Sequence, residues 1–398
     1  MTLKMKSFNK NIFGTLFFSL LISVTGVGIV VPLLPVYAHK LGANGFHIGL
    51  IFGAFSISRT SFLSYFGRLS DKKGRKPFIV SGLLGYTFIS IAFMLVNSVN
   101  DLIALRFIQG ISSAMLMPVI QAYVGDITPT GREGLIMGIF NMALFFGLTI
   151  GPILGGIIND HSGLYFAFMS MGVLAGLAFC LSLFLLPSRD LENLNIKRTE
   201  PAPWKNILTD IELYGLFIFN FSYTSCIGII WSFMPVLADM DFSLSSSQIG
   251  VLVVLGVSIS GIMQPFMGFV ADRINYKKIF IITGGLIVGY STLSYKWASG
   301  FWDIFYANIL FGIGGGIAMP SLTALAVSKG NKSHGMGSVM GVMTTGHSAG
   351  MFTGSILAGI LMDTFNLRIA FLLGAIIMVS GITLFFILTS IKQKAPSL

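Results

Sequence analysis

The stretch from Gly67 to Pro77 reads GRLSDKKGRKP and holds six charged residues in eleven positions. Predominantly apolar stretches, residues 47–66 and 77–97, lie on either side of it. Each stretch is about 20 residues long, which is the length that a helix needs to cross a hydrocarbon layer. Because a backbone in lipid must satisfy its own hydrogen bonds, and barrel strands would alternate polar and apolar residues, both stretches are predicted to be helices. The charged stretch is predicted to be a loop between them.

The same alternation recurs along the whole chain, which is 54% hydrophobic and only 10% charged, against roughly 25% charged in an ordinary soluble domain. We therefore predict an all-α membrane protein with twelve transmembrane helices. The first six predicted spans are residues 12–38, 47–66, 77–97, 101–124, 133–158 and 163–186. The second six are residues 211–237, 246–270, 277–296, 302–327, 334–361 and 367–390.

The net charge of +10 could indicate a nucleic-acid partner, so the positions of the 25 Lys and Arg decide its meaning. With the N-terminus in the cytoplasm, 20 of them fall inside, 3 outside and 2 within spans. This asymmetry is the one that orients membrane proteins. We expect a multi-pass protein of a cell membrane, of the bacterial cytoplasmic (inner) membrane type, with both termini cytoplasmic and no nucleic-acid partner.

The chain also repeats itself after about half its length. Four blocks correspond in the same order, at offsets that drift from 200 to 203: Gly28, Pro35 and Val36 with Gly228, Pro235 and Val236; Gly67, Asp71 and Lys76 with Gly268, Asp272 and Lys277; Gly110, Met117 and Pro118 with Gly312, Met319 and Pro320; Gly151, Leu154, Gly156 and Asp160 with Gly354, Leu357, Gly359 and Asp363. We predict two pseudo-symmetric six-helix halves, residues 1–190 and 211–398, joined by a cytoplasmic linker, residues 191–210. Parallel repeats of this kind build transporters whose substrate site near the midplane opens alternately to each side.

Together with the helix count and the repeat, the stretch from Gly67 to Pro77 resembles the signature loop of the major facilitator superfamily, G-x-L-x-D-x-x-G-R-K-P. The resemblance covers essentially the whole chain and implies the major facilitator fold. In relatives the loop's acid docks at helix eleven and its Arg meets an acid at the end of helix four. The resemblance therefore implies a cytoplasmic conformational latch, formed here by Gly67, Asp71, Gly74, Arg75 and Asp126. The alternative is a basic loop that only sets topology.

Two arginines lie within predicted spans. Arg106 begins the sequence RFIQG, which resembles the family's second motif, whose Arg serves substrate or proton coupling. An embedded Arg is a functional candidate by default, although Arg106 could snorkel to the nearby outer end of its helix. Arg59 lies deeper, and either reaches the cytoplasmic rim or faces the cavity.

The fifth predicted span resembles the G-x-x-x-G-P-x-x-G-G signature of the family's antiporters. The matching residues are Gly147, Gly151, Pro152, Gly155 and Gly156. The resemblance implies export, while glycines on one helix face are also explained by close helix packing alone.

Energy coupling is where this chain departs from the family pattern. All fifteen acids fall in loops or at helix ends, whereas many drug exporters of the family carry an acid in helix one, where this chain has Ser23 and Thr25. The best titratable group within a span is His347, since imidazole has an ordinary pKa of about 6.5. It is either a proton carrier or a neutral packing residue. Other polar residues could face a cavity or bridge helices: Gln121, Asn141, Asn220, Tyr223, Gln264 and Asn308.

We expect a monomeric secondary transporter in the lipid bilayer that exports small amphipathic or drug-like molecules in exchange for protons. Three alternatives stay open: an uptake carrier or facilitator for a small metabolite, a lipid-handling carrier, and a non-transporting membrane sensor. No P-loop or catalytic nucleophile constellation occurs in the sequence, so no enzyme activity is expected. No cofactor or metal is expected either, because Cys180 and Cys226 lie in apolar spans.

We predict that a reporter active only in the cytoplasm works when fused to either terminus or inserted into the linker, because the positive charges concentrate there. A reporter active only outside, fused at the same positions, is the control. Activity of this second reporter at either terminus would overturn the topology.

Overall fold

The structure, a computed structural model, describes residues 9–129, 133–187, 210–273, 277–330 and 336–390, and every regular element in these ranges is helical. The first seven helices are α1 (Lys10–Val30), α2 (Leu33–Lys40), α3 (Gly45–Lys73), α4 (Arg75–Met94), α5 (Val99–Ile127), α6 (Glu133–Ser162) and α7 (Leu164–Leu185). The next six are α8 (Ile211–Met240), α9 (Ser246–Arg273), α10 (Lys277–Ser294), α11 (Phe301–Lys329), α12 (Met336–Thr364) and α13 (Leu367–Ser390). Except for Asp210, the predicted linker lies outside the described residues.

Eleven helical segments in the described ranges are long and apolar enough to cross a membrane, with α1 and α2 counted together. The remaining predicted span, residues 334–361, corresponds to α12, which has 29 residues. Its length suffices, but the polar run Thr344–Ser348 makes its middle less apolar. The protein is therefore an all-α, multi-pass membrane protein.

Two helices differ in detail from the predicted spans. The first span breaks at Val31 and Pro32, because proline has no backbone N–H to continue the helix. Helix α3 continues to Lys73, so Gly67 lies in helical backbone with open space around it. Within the stretch from Gly67 to Pro77, only Gly74, with a φ of 97°, adopts a conformation that favours glycine. The predicted loop is thus mostly the last turns of α3 followed by a one-residue break.

The helices pack into two compact units. The first holds α1, α2, most of α3, α4 to α7 and the first turns of α9. The second holds α8, most of α9, α10 to α13 and the first turns of α3. Each unit thus includes the start of one helix from the other predicted half, while the half boundaries at residues 191–210 stay a prediction.

Glycines let helix backbones touch within each unit. In the first unit, a Cβ on Gly151 would lie 2.5 Å from the carbonyl oxygen of Thr25, so α6 can approach α1 this closely only without a side chain there. In the second unit, Gly228 of α8 faces the carbonyl of Met351 in the same way, and Gly354 of α12 faces that of Ser225. Close approach through small residues is the usual means of helix association in membranes.

Two carboxylates at repeat-related positions cap the first turns of helices. In the first unit, Asp160 accepts hydrogen bonds from the N–H groups of Ser246 (2.9 Å) and Ser247 (2.8 Å) at the start of α9. In the second unit, Asp363 accepts them from the N–H groups of Gly45 (2.6 Å) and Phe46 (2.8 Å) at the start of α3. These N–H groups have no intrahelical partner and form the positive end of the helix dipole. Each carboxylate therefore holds the first turn of one helix, α9 or α3, against the rest of the same unit.

We predict that Asp160→Asn lowers the free energy of unfolding by about 1 kcal/mol, because an amide has one acceptor oxygen and no charge. Thermal unfolding of the purified protein in detergent measures the change. Asp303→Asn is the matched control, since Asp303 binds the nearby Ser299 in its own helix cap. Equal destabilisation by the two substitutions would contradict a long-range role for Asp160.

Candidate functional site

Arg75 joins three groups within the first unit. Its Nε lies 3.0 Å from Oδ2 of Asp126 at the end of α5, and its Nη1 lies 2.6 Å from Oδ1 of Asp71. Nη1 also donates to the hydroxyl of Ser70 at 2.7 Å. Arg75 is only 8% exposed, so removing one partner would leave a buried charge uncompensated. The structure thus brings Arg75 and Asp126 together, while the latch function and the docking of Asp71 at the eleventh predicted span, residues 334–361, stay predictions.

The glycine motif of α6 forms a packing face. Gly147 faces Val24, Gly151 faces Thr25 and Gly155 faces Ile29, all on α1. Gly156 faces the carbonyl of Ser246 at the start of α9, within the same unit. Close packing accounts for these four glycines, and their relation to transport direction stays a prediction.

Ser23 and Thr25, at the positions where the family resemblance leads us to expect an acid, bind their own helix. The Ser23 hydroxyl donates to the carbonyl of Leu20 at 3.0 Å, and the Thr25 hydroxyl donates to that of Leu21 at 2.8 Å. A hydroxyl does not titrate at ordinary pH. Helix α1 therefore offers no proton carrier at these positions.

Arg106 is buried inside the first unit rather than snorkelling, with 5% of its surface exposed. Its Nη1 donates to Oε1 of Gln109 at 2.7 Å, one turn further along α5. Its guanidinium also lies over the ring of Phe55 on α3, 4.4 Å from the ring centroid, which is a cation–π contact. Both contacts hold the charge within the helix bundle.

Arg59 lies at the middle of α3, fourteen residues from either end of the helix, which is about 21 Å at 1.5 Å per residue. The charged stretch from Gly67 to Lys73 belongs to this helix but lies beyond the predicted span, so the helix end does not mark the membrane rim. The choice between reaching the rim and facing the cavity stays a prediction. Its Nε is buried and has no hydrogen-bond partner. Tyr86 of α4 lies within electrostatic range of both Arg59 and Arg106.

Gly110 explains why the two arginine-bearing helices come together. A side chain there would collide with the hydroxyl of Ser58, and it would also approach the carbonyl of Phe55 and the backbone nitrogen of Arg59. Helices α3 and α5 can therefore touch only because Gly110 has no Cβ. The glycine of the RFIQG motif thus positions Arg59 beside the segment that carries Arg106.

His347 lies in the second unit on α12 and is partly exposed. It takes part in an interaction with its surroundings. The neighbouring Thr344 donates its hydroxyl to the carbonyl of Met340 in its own helix at 2.9 Å. A role for His347 as proton carrier stays a prediction.

The six other polar candidates divide into buried and exposed groups. Asn220 bridges α8 and α12 by donating to the carbonyl of Met343 at 2.7 Å, while Asn308 donates to Ile304 in its own helix at 3.0 Å. Tyr223 is buried and stacks on Phe311, with ring centroids 5.7 Å apart. Three of the six have exposed side chains: Gln121, Asn141 and Gln264. The side-chain amides of Asn220 and Asn308 thus donate to helix carbonyls, which accounts for two of the candidates without a ligand.

The surroundings of the arginines include three residues that the sequence prediction does not contain. Gln109 stands inside the quoted motif, directly before its glycine. Phe55 precedes Arg59 by four residues and so lies on the same face of α3, which was the signal that could have found it. Tyr86 lies in an ordinary apolar stretch and gave no signal.

Charged residues inside a membrane bundle mark functional sites such as substrate or ion pathways. The model of the Major Facilitator Superfamily matches residues 16–244 and 216–397, and the chain belongs to this family. It is 31% identical to an uncharacterized MFS-type transporter of Methanocaldococcus jannaschii, over 90% of this chain and 93% of the relative. It is 27% identical to Multidrug resistance protein 2 of Bacillus subtilis, over 99% of both chains.

A solved structure supports the same fold. The crystal structure of a bacterial homolog to the human lysosomal transporter Spinster matches with a TM-score of 0.83 and 11% identity, over 98% of this chain and all of that one. The protein is therefore a major facilitator transporter, with the fold that the signature loop implied.

We predict that Arg75→Lys slows turnover about tenfold, a barrier increase of about 1.4 kcal/mol, while ligand affinity changes little. A lysine cannot reproduce the fork that joins Asp126, Asp71 and Ser70. Dye exchange by proteoliposomes and dye binding in detergent measure the two quantities.

The matched control for this substitution is Arg68→Lys, because Arg68 is an exposed arginine near the end of α3, the helix that precedes Arg75. An equal loss of turnover and affinity in folded Arg75→Lys protein would count against the latch.

Proposed function

We propose that the protein is a secondary exporter that carries small amphipathic compounds out of the cell by alternating access, in exchange for protons. The observation that carries this proposal is the burial of Arg106 with Gln109 and Phe55 inside a membrane bundle. An arginine buried inside a membrane bundle is a functional candidate by default, because taking its charge out of water is costly.

The direction of transport rests on the glycine motif of α6 and on relatives. The motif from Gly147 to Gly156 resembles the family's antiporter signature. Multidrug resistance protein 2 of Bacillus subtilis is similar along 99% of both chains, and its name supports export of drug-like compounds. The protein's 36 Phe and 20 Met suit varied apolar shapes, since aromatic rings and thioethers adapt to different ligands.

Proton coupling requires a group that alternates between protonated and free states. The arginines cannot serve, because a guanidinium does not release its proton in proteins. The candidates are His347 and Asp126, the second of which is held by Arg75 at 3.0 Å. A nearby arginine can lower the proton affinity of such a group, so ligand binding that displaces this influence would change protonation.

The proposed setting is a monomer in a bacterial cytoplasmic membrane with both termini inside. The charge asymmetry of the sequence supports this orientation. Its partners are the bilayer, a small-molecule substrate and protons.

We predict that His347→Ala weakens transport driven by a pH gradient several-fold, about the size of a typical coupling effect, and leaves downhill exchange nearly intact. Arg106→Ala damages both, because its charge is part of the binding region. The assay compares counterflow with gradient-driven uptake into inverted vesicles, using fluorescent amphipathic dyes of both charge signs. Thr344→Ala is the matched control for His347, since that hydroxyl binds its own helix.

Each alternative function gives a different result in this assay. Unchanged pH-driven transport in the His347→Ala protein removes His347 as the carrier, and no pH dependence in the parent favours a facilitator. Transport only inward indicates an uptake carrier, and movement of labelled phospholipid alone indicates a lipid carrier. Dye binding without any transport indicates a sensor.

A further inference from the structure

The geometry points to an anion-binding site within the first unit, formed by Arg59, Arg106 and Gln109, which selects substrates that carry a carboxylate or a similar negative group. This inference rests on the proposed transport function, because it specifies the substrate of that transport. The site lies on α3 and α5.

The first observation is that two buried hydrogen-bond donors at this place have no acceptor. Nε of Arg59 and Nε2 of Gln109 are both buried without a partner. Gln109 is 1% exposed, so bulk water does not reach its amide. A buried donor without an acceptor is costly and is rare in native structures.

The second observation fixes the orientation of the Gln109 amide. Its Oε1 accepts the hydrogen bond from Nη1 of Arg106 at 2.7 Å. A guanidinium only donates, so rotating the amide by half a turn would place two donors against each other. The amide must therefore present its NH₂ group away from Arg106. The unpaired atoms of Arg59 and Gln109 are both donors, so a ligand that satisfies them must supply hydrogen-bond acceptors.

The third observation is the charge of the surroundings. Every acid in the described ranges lies at a helix end or outside a helix, and Arg59 lies fourteen residues from either end of α3. Its position is thus far along the chain from any acid of its own helix. Two positive charges near each other in the apolar layer favour a negative ligand by simple electrostatics.

The second unit supplies an internal comparison. The positions that correspond to Arg59 and Arg106, at offsets of 201 and 202, are Ser260 and Asn308. There α9 and α11 pack through Gly312, which faces the carbonyl of Gly256, as α3 and α5 pack through Gly110. Asn308 satisfies its amide on Ile304. The helix pair thus packs without arginines, so packing does not explain them.

The ligand also needs an apolar part next to its charge. The ring of Phe55 lies 4.4 Å from the guanidinium carbon of Arg106, and the ring of Tyr86 is within electrostatic range of both arginines. An aromatic carboxylate matches this arrangement, because its head accepts from the donors and its ring contacts aromatic side chains.

Three probes with the same ring system but different charge test the inference: 1-naphthoate, 1-naphthylmethylammonium and 1-naphthalenemethanol. Their binding to the purified full-length protein in detergent is measured by isothermal titration. We expect naphthoate to bind about tenfold more tightly than the amine or the alcohol, the effect of one charge-assisted hydrogen bond. In Arg59→Gln and Arg106→Gln this preference disappears, while Arg68→Gln, at an exposed position of α3, keeps it.

Removal of a buried arginine could also unfold the protein, so Gln109→Glu is the decisive variant. Its carboxylate has nearly the shape of the amide and places a negative charge beside Arg106. We expect it to abolish the preference for naphthoate without lowering the temperature of thermal unfolding. A folded Gln109→Glu protein that still prefers naphthoate overturns the site, as does a parent protein that binds the amine or the alcohol equally well, or binds none of the three.

The binding measurement does not depend on transport. If naphthoate binds selectively but no dye is exported, the anion site stands and the proposed function fails. If cationic dyes are exported while naphthoate binds no better than the amine, the proposed function stands and the anion site fails.

Discussion

The contact of helix backbones at glycine is the interaction on which the rest of this structure depends. In the first unit, Gly151 and Gly155 bring α6 against α1, and Gly110 brings α5 against α3. In water, apolar side chains would drive such association, but lipid offers no such force, and packing at short distance takes its place. Where backbones touch, the neighbouring side chains have fixed positions. The placement of Arg59 and Arg106 on adjoining helices is therefore a consequence of one missing Cβ.

The two halves of the sequence share this packing but not its chemistry. Corresponding helices have nearly the same lengths, as α3 and α9 show with 29 and 28 residues. Glycines at repeat-related positions serve the same contacts, and Asp160 and Asp363 both cap a helix start. The charges in the apolar layer belong to the first half, where the second has Ser260 and Asn308. The predicted repeat thus carries the two embedded arginines in its first copy only.

The sequence predicted the helices well, because the length of an apolar run is a local property that lipid makes decisive. It also located both embedded arginines, since a charge inside such a run is conspicuous. The end of α3 was placed too early, because the charged segment after Gly67 is helical until Gly74. The partners of Arg106 could not be predicted, since its contact with Phe55 depends on how two helices rotate about their axes. The repeat aligned Asp160 with Asp363, but nothing local indicated the helix starts that they bind.

The permanent charge of Arg59 and Arg106 has an electrical consequence. Because neither guanidinium titrates, both charges stay in the protein through every stage of a transport cycle. The carrier is then most positive when it is empty and less positive after it takes up an anion. A membrane potential acts on each charge that crosses it with about 2.3 kcal/mol per 100 mV. The membrane potential would therefore change the energy of the return of the empty carrier and the energy of the movement of the loaded carrier by different amounts. Turnover would then depend on the potential even without a titrating residue.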